Sequence, residues 1–373
     1  YGHGLMSRYH ALRVSAVNAE THDAKSVVFE VPPALADDFR YQPGQFLTLR
    51  LNIDGRHVPR CYSMSSAPGL DASPRVTIKR VRDGRGSNWV CDHVKAGDVI
   101  EVMSPSGIFA PRSLEGDFLL LAGGSGITPV FSILRTVLAK ATGRVTLLYA
   151  NRDEKSVIFR AELQALAAAH PTRLQVIHWL DSVQGVPSVA QLTELARSQT
   201  QAHVQSTGQK PDQTTGENVA PVQAFICGPG LFMDAAVAAL QALSLPPEHI
   251  HVERFVSLPD EETLAAANVA AQAAPPLPDA VDEAEVEFLL DGQVHTLHCG
   301  GTETLLEAAL RAGLNAPFSC QAGMCASCMC QVVEGSVHLR HNDVLDAKDL
   351  AKAWTLACQA VPTSARLRIK FPE

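Results

Sequence analysis

The stretch "PFSCQAGMCASCMC", Pro317 to Cys330, crowds four cysteines into eleven positions of a chain that has nine in all. Cys320, Cys325 and Cys328 stand as C-x4-C-x2-C, and Cys358 follows in "WTLACQA". Three thiolates on one loop and a fourth from a distant strand make the ligand spacing of a plant-type [2Fe–2S] cluster. The intervening Ala322, Gly323, Ala326 and Ser327 are small. Small residues let backbone N–H groups approach sulfur, as a loop wrapped round a cluster requires. A structural zinc site would need a second C-x2-C knuckle or a pair of histidines, and neither stands at ribbon spacing. Cys330, at period two from Cys328, reads as a buried spare thiol. Cys91-x-His93 has no C-x2-H partner and reads as core or surface.

Such a loop has to be carried by a domain, and 373 residues suffice for two or three. The first third reads as strands: "LRVSAVNAE", "AKSVVFEV", "QFLTLRLNI" and "RVTIKRVRD" are separated by Pro, Gly and Asp turn signals. From about residue 116 the pattern changes to apolar strands alternating with helices, which indicates a parallel, doubly wound sheet. "RSQTQAHVQSTGQKPDQTTGENVA" has no apolar period and reads as a mobile surface insertion over 197–220. Six acidic and no basic residues, with much Ala and Pro, mark 257–284 as a linker. Beyond it come a hairpin around Asp291-Gly292, an amphipathic helix closed by Gly313, the cysteine loop and a final strand "RLRIKF". The expected domains are therefore 6–113, 114–256 and 285–373, with the linker 257–284 before the last.

Composition removes several classes. A formal charge of −8 leaves no basic face for phosphate backbones, so no nucleic-acid partner is expected. No run approaches the ~20 apolar residues of a membrane span. The N-terminus "YGHGLMSRYHALRV" lacks the charged-then-apolar pattern of a signal peptide. Clustered cysteines without a secretory signal suit a reducing compartment, and the expectation is a cytoplasmic protein.

An iron–sulfur centre passes single electrons, so a donor is needed. "RCYSMSS", Arg60 to Ser66, offers an arginine, an aromatic and hydroxyls on one strand. That set can meet a flavin phosphate, its ring face and its heteroatoms. In "GRGSNW", Gly86 and Ser87 open a helix, a ready site for a pyrophosphate. "AGGSGITP" lies between a buried strand and a helix, and its Gly123, Gly124 and Gly126 permit close backbone approach while Thr128 offers a hydroxyl. "CGPG", Cys227 to Gly230, ends a second strand, where a nicotinamide would enter at a topological switch point.

With these motifs together, the chain resembles the ferredoxin–NADP reductase superfamily, in the order flavin domain, NAD domain, C-terminal plant-type ferredoxin. "SNWVCDHVKAGD", "LLYANRDEKSVIF", "VIHWLDSVQGVPS" and "PFSCQAGMCASC" resemble the reductase component of 3-ketosteroid 9α-hydroxylase, and less closely the reductase of the phenylacetyl-CoA epoxidase system. The resemblance implies an antiparallel β-barrel flavin domain, an α/β parallel-sheet NAD(P) domain and an α+β (β-grasp) ferredoxin domain. It implies FAD, a [2Fe–2S] cluster and NADH or NADPH as cofactors, with electrons delivered to the terminal component of a Rieske-type oxygenase. It places Arg60, Gly86 and Ser87 on the flavin pyrophosphate, Tyr62 on the ring and Ser63 near N5, with Ser66 and Lys79 in the same cofactor-binding set. Gly124 and Thr128 would line the nicotinamide nucleotide, Cys227 would sit beside the nicotinamide, and Glu253 and Phe255 would approach the flavin ring. Ser63, Cys227 and Glu253 would position or tune the hydride step. Cys320, Cys325, Cys328 and Cys358 would hold the metal. Arg152 and Arg160 suit a 2′-phosphate and Asp181 opposes one, which favours NADH. The expected form is a monomer. The reductase of a phenylacetyl-CoA epoxidase-like or other aromatic oxygenase system, or a redox-sensing electron carrier, is the alternative.

Overall fold

The computed structural model describes residues 9–197, 222–255, 262, 266, 281–345 and 347–372. The insertion 197–220 and the linker 257–284 lie almost wholly outside them. The chain divides into two units. One takes residues up to Leu49, Tyr62–Pro105 and Phe109–Phe255; the other takes Arg50–Cys61, Ser106–Ile108 and the described residues after 256.

The N-terminal sheet has six strands: β1 (Tyr9–Thr21), β2 (Ala24–Glu30), β3 (Phe46–Ile53), β4 (Arg56–Ser63), β5 (Arg75–Lys79) and β6 (Val99–Met103). They run in the order β4-β3-β6-β1-β2-β5. Alternation turns Leu12 and Val14 of β1, and Val27 and Phe29 of β2, into the core. The two edge strands meet where Met64, just past β4, bridges Val76 of β5. That bridge, with the Ser65 N–H bonded to the Arg75 carbonyl at 2.8 Å, brings the two ends of the sheet together, as the expected barrel requires. Helix α1 (Arg85–His93) leads from β5 toward β6.

The second sheet is parallel throughout. Its strands β7 (Phe118–Gly123), β8 (Val145–Asn151), β9 (Leu174–Leu180), β10 (Gln223–Cys227) and β11 (Ile250–Glu253) lie in the order β11-β10-β7-β8-β9. The direction of winding reverses between β7 and β10, the switch point of a doubly wound fold. All six residues of β7 are buried, as a strand covered on both faces requires. Helix α2 (Ile127–Lys140) starts beside that switch point. It is apolar nearly all round, and its buried residues include Thr128, Ser132 and Thr136 as well as Val130, Phe131, Ile133, Leu134 and Val137. A helix buried on both sides needs such a sequence. Helix α3 (Arg160–Ala169) packs against β9.

The C-terminal unit is a mixed sheet. Strands β12 (Glu283–Leu290), β13 (Gln293–Gly300), β14 (Met329–Glu334), β16 (Trp354–Leu356) and β18 (Arg366–Lys370) lie in the order β13-β12-β18-β14-β16, and only β12 and β18 pair in parallel. Strands β15 (Val337–Leu339) and β17 (Ala360–Pro362) form a separate pair. The β12–β13 turn carries φ of +52° at Asp291 and +72° at Gly292, the left-handed pair that an Asp-Gly hairpin favours. The helix Leu305–Arg311 is started by a capping box between Thr304 and Glu307 and ends at Gly313, where φ is +74°. Its Leu305, Leu306, Ala308 and Ala309 fill the core under the sheet, the α+β arrangement expected.

Candidate functional site

Between β7 and β10 two glycine loops touch. A Cβ on Gly126 would lie 2.0 Å from the Cys227 carbonyl oxygen. One on Gly228 would lie 2.9 Å from Gly123 Cα, and one on Gly123 would lie 2.7 Å from Pro229 Cδ. Only glycine fits at these places, so "AGGSGITP" and "CGPG" are two halves of one backbone cradle at the carboxyl ends of neighbouring strands. Gly124 has φ of +52°, and its carbonyl accepts a hydrogen bond from the Tyr149 hydroxyl at 3.0 Å. Tyr149 itself accepts from the Ile158 N–H at 3.3 Å. No sequence motif singles out this tyrosine; its one signal is a hydroxyl at the end of the apolar run "TLLY". Burial raises its pKa, so it stays a donor. Thr128 is buried and donates to the Ser125 carbonyl at 3.1 Å.

Cys227 and Glu253 are register partners on β10 and β11 at the same end of the sheet. Burial pushes the Cys227 thiol well above its ordinary value, with Glu253 adding to the shift. Burial pushes the Glu253 carboxyl up to about 8. Neither group is a ready anion at neutral pH, so this corner of the cradle is uncharged. Phe255 is 48% exposed.

On the barrel, Ser63 is buried, while Arg60 and Tyr62 are half-buried at the end of β4. The Arg60 guanidinium donates to the Pro59 carbonyl at 2.7 Å. Ser66 has structural work: its hydroxyl accepts from Tyr41 at 2.7 Å and from the Arg75 N–H at 2.9 Å. Gly86 and Ser87 are buried in the first turn of α1, and Ser87 Oγ accepts from the Val81 N–H at 3.1 Å. That bond ties the turn to β5's continuation. Helix-start N–H groups lack intrahelical partners and suit an anion. Lys79 Nζ lies 3.9 Å from Asp23 Oδ2 and 3.8 Å from where a Cβ on Gly124 would stand. Burial lowers its pKa, partly offset by Asp23.

The C-terminal unit brings the four predicted thiols together. Cys320 interacts with both Cys325 and Cys358, and Cys358 with Cys328. Backbone N–H groups point at these sulfurs: Ala322 and Met324 at Cys320 Sγ, 3.3 and 3.4 Å, Cys320 at Cys325 Sγ, 3.4 Å, and Cys358 at Cys328 Sγ, 3.5 Å. Left-handed backbone at Gln321, Gly323 and Ala326 turns the loop inward. At Gly323 a Cβ would come within 2.6 Å of the His341 carbonyl oxygen. Cys358 sits in the turn between β16 and β17 rather than on a strand. Four thiols ringed by inward N–H donors fit an iron–sulfur cluster, whose ligands are thiolates steadied by N–H···S bonds. The proximity of Cys320 and burial push the Cys325 thiol well above its ordinary value, so four thiolates at this spot need a cation among them. Cys330 is fully buried.

Comparison with known proteins matches three successive segments to family models: an oxidoreductase FAD-binding domain over residues 11–110, an oxidoreductase NAD-binding domain over 120–238 and a 2Fe-2S iron–sulfur cluster binding domain over 288–363. The chain is 47% identical to the ferredoxin reductase component of a 3-ketosteroid-9-alpha-monooxygenase from Rhodococcus rhodochrous, over 98% of this chain and 97% of that protein. It is 34% identical to a component of the 1,2-phenylacetyl-CoA epoxidase of Escherichia coli, over 98% of each. Its fold matches phthalate dioxygenase reductase with a TM-score of 0.52 at 21% identity, over 97% of this chain and 98% of that one. Among the described residues, no helix is long and apolar enough to cross a membrane. The glycine cradle, the barrel motif and the tetrathiol loop are thus the dinucleotide, flavin and cluster domains of one oxidoreductase: the chain belongs to the family of oxygenase reductase components that join an FAD-binding domain, an NAD-binding domain and a C-terminal [2Fe–2S] domain.

Proposed function

We propose that this reductase draws electrons from NADH and delivers them, through FAD and its [2Fe–2S] cluster, to a separate terminal oxygenase that hydroxylates a 3-ketosteroid. The near-full-length 47% identity to the Rhodococcus component carries the choice of oxygenase. The E. coli epoxidase component, at 34%, favours an acyl-CoA epoxidase as the second reading. The bound groups supply hydride acceptance and one-electron transfer; the chain supplies binding, orientation and a dry setting.

In this reading Arg60, with the α1 start at Gly86 and Ser87, holds the flavin pyrophosphate. Tyr62 lies on the ring and Ser63 near N5, with Lys79 between the barrel and the Gly124 loop. Gly124 and Thr128 receive the nicotinamide nucleotide, Cys227 and Glu253 keep its surroundings neutral, and Phe255 covers the flavin. Ser66, whose hydroxyl already accepts two bonds, supports the strand from behind. Cys320, Cys325, Cys328 and Cys358 ligate the iron. NADH is favoured over NADPH because both candidate phosphate-binding arginines are engaged. Arg152 lies 3.2 Å from Asp153 and 3.7 Å from Asp23, and Arg160 lies 2.6 Å from Glu154. Asp181, with a buried oxygen lacking a hydrogen-bond partner, stands at the end of β9 where a 2′-phosphate would be repelled. The thiol-rich loop with Cys320, Cys325 and Cys328 supports a cytoplasmic, reducing setting, where such a ligand set stays reduced. A monomer is proposed.

The test is reconstitution. The purified protein should show flavin and [2Fe–2S] absorption, release FAD on denaturation and support 3-ketosteroid hydroxylation with NADH when mixed with the oxygenase component. Release of FMN alone, or turnover only with a CoA-thioester epoxidase, would reject the corresponding part.

A further inference from the structure

We propose that α2 is a strut that sets the nicotinamide cradle against the flavin strand, and that Ser132 and Arg135 on it, with Asp71, are positioning residues for hydride transfer. The proposal rests on the flavin and nicotinamide assignments above. Helix α2 begins at the cradle, with Thr128 in its first turn. Thr128, Ser132 and Arg135 fall at i, i+4 and i+7, on one face and about 10 Å from first to last. That face is bonded to the last residue of "RCYSMSS" and to the loop that follows it. Ser132 Oγ donates to the Ser66 carbonyl at 2.6 Å. Arg135 makes a bidentate pair with Asp71, at 2.5 and 2.9 Å. Asp71 in turn accepts from the Ala67 N–H at 2.7 Å. Farther along, Lys140 Nζ donates to the Pro68 carbonyl at 2.7 Å.

These bonds fix residues 66–71, and so the end of the flavin strand, to a rigid helix whose other end is the cradle. A second grip works from β5. Arg75 pairs with Glu162 of α3 at 3.2 Å and lies over the rings of Phe159 and Phe131, 5.1 and 6.0 Å from their centroids. Phe159 is held with φ of +60°, a conformation a bulky residue adopts only when its surroundings impose it. The first grip is partly buried, with Arg135 and Asp71 side chains 21% and 29% exposed, and in the second Arg75 is 16% exposed. Bidentate pairs fix angle as well as distance. Hydride transfer demands that registry, since an error of about 1 Å can cost a hundredfold in rate.

The experiment uses the full-length holoprotein. NADH is mixed anaerobically in a stopped-flow spectrophotometer, and bleaching of the flavin band is followed as NADH is varied. Arg135→Met and Asp71→Asn should lower the limiting rate about ten- to a hundredfold and weaken the NADH–flavin charge-transfer band. FAD content, the cluster spectrum, reduction by dithionite and the Kd for NADH should stay unchanged. The exchanged pair, Asp71→Arg with Arg135→Asp, should recover part of the lost rate. Ser132→Ala, a loss of one hydroxyl, is the milder probe if the charge variants fold poorly, and should slow the same step by a smaller factor. Limiting rates within twofold of the unaltered protein overturn the proposal. So does a parallel loss of FAD, which would make the contact one of stability alone. If NADH fails to reduce the unaltered protein, the functional reading itself falls, and the two failures are told apart.

Discussion

Glu253 offers a stringent test of the electrostatics at the cradle. Its carboxyl is pushed from 4.5 up to about 8 by burial. Between those values the folded chain keeps a proton that the unfolded chain has released. The slope of stability against pH is then negative: stability falls as pH rises through the window and levels off above about 8. Each unit is worth about 1.4 kcal/mol, so the full shift sets a ceiling of about 5 kcal/mol, and at pH 7 the ceiling is about 3. Relaxation of a half-buried site reduces this to about 2 kcal/mol. Glu253→Gln mimics the protonated acid without being able to ionise. The variant should melt with the parent at pH 5, where both side chains are neutral. It should melt several degrees higher at pH 8, at roughly 2–4 °C per kcal/mol for a domain of this size. Scanning calorimetry of the holoprotein from pH 5 to 9 measures it, comparing only the transition of the flavin–NAD unit because a multidomain chain need not unfold in one step. A difference in Tm that is constant across this range would refute the reasoning. So would a parent more stable than the variant at pH 8.

Other outcomes follow from the geometry. Cys325→Ser should abolish the [2Fe–2S] spectrum and leave FAD bound, whereas Cys330→Ser should leave the cluster spectrum intact; iron analysis and absorption decide both. Gly126→Ala drives a Cβ to 2.0 Å from the Cys227 carbonyl, so NADH should bind at least tenfold more weakly by titration while the cluster spectrum is unchanged. On the proposed flavin assignment, Arg60→Ala would remove a charge-assisted phosphate contact worth about 1.5–3 kcal/mol, so FAD affinity should drop about ten- to a hundredfold by fluorescence titration. A chain ending at Phe255 should still pass electrons from NADH to ferricyanide yet fail to support the oxygenase.

The parts that could be read from sequence are those whose chemistry is local in the chain. C-x4-C-x2-C is compact because one loop must reach round one cluster, and the structure gathers those thiols with the fourth, Cys358, from a turn 30 residues beyond Cys328. The Asp291-Gly292 hairpin and the helix stop at Gly313 are equally local, since each is decided within a few residues. The glycines of "AGGSGITP" read as a place of close approach and "CGPG" as a strand end; that the two loops approach each other emerges only from the pairing of β7 with β10.

What sequence left hidden depends on pairings between distant residues. Nothing marks Arg135 as the partner of Asp71, 64 positions away. One stands in an apolar helix and the other in a turn, and either would be unremarked on a solvated surface. Ser66 shows the same thing from the other side. Inside "RCYSMSS" it reads as a cofactor hydroxyl; in the fold that hydroxyl also accepts from Tyr41 and the Arg75 N–H, and the Ser66 carbonyl accepts from Ser132. On the proposed flavin reading, the motif therefore contains both groups that would face the ligand and groups that hold those groups still. Residue type alone cannot separate them, because a serine that binds and a serine that braces look alike until their partners are in place. The buried polar residues of α2 were the one available clue. Thr128, Ser132 and Thr136 recur at four-residue intervals in a helix otherwise built for a core. Buried hydroxyls require partners. Thr128 answers to the Ser125 carbonyl in the glycine loop just before the helix, and Thr136 to the Ser132 carbonyl within it. Of the three, only Ser132 reaches out to the barrel, at the Ser66 carbonyl, beside the Arg135–Asp71 pair one turn on.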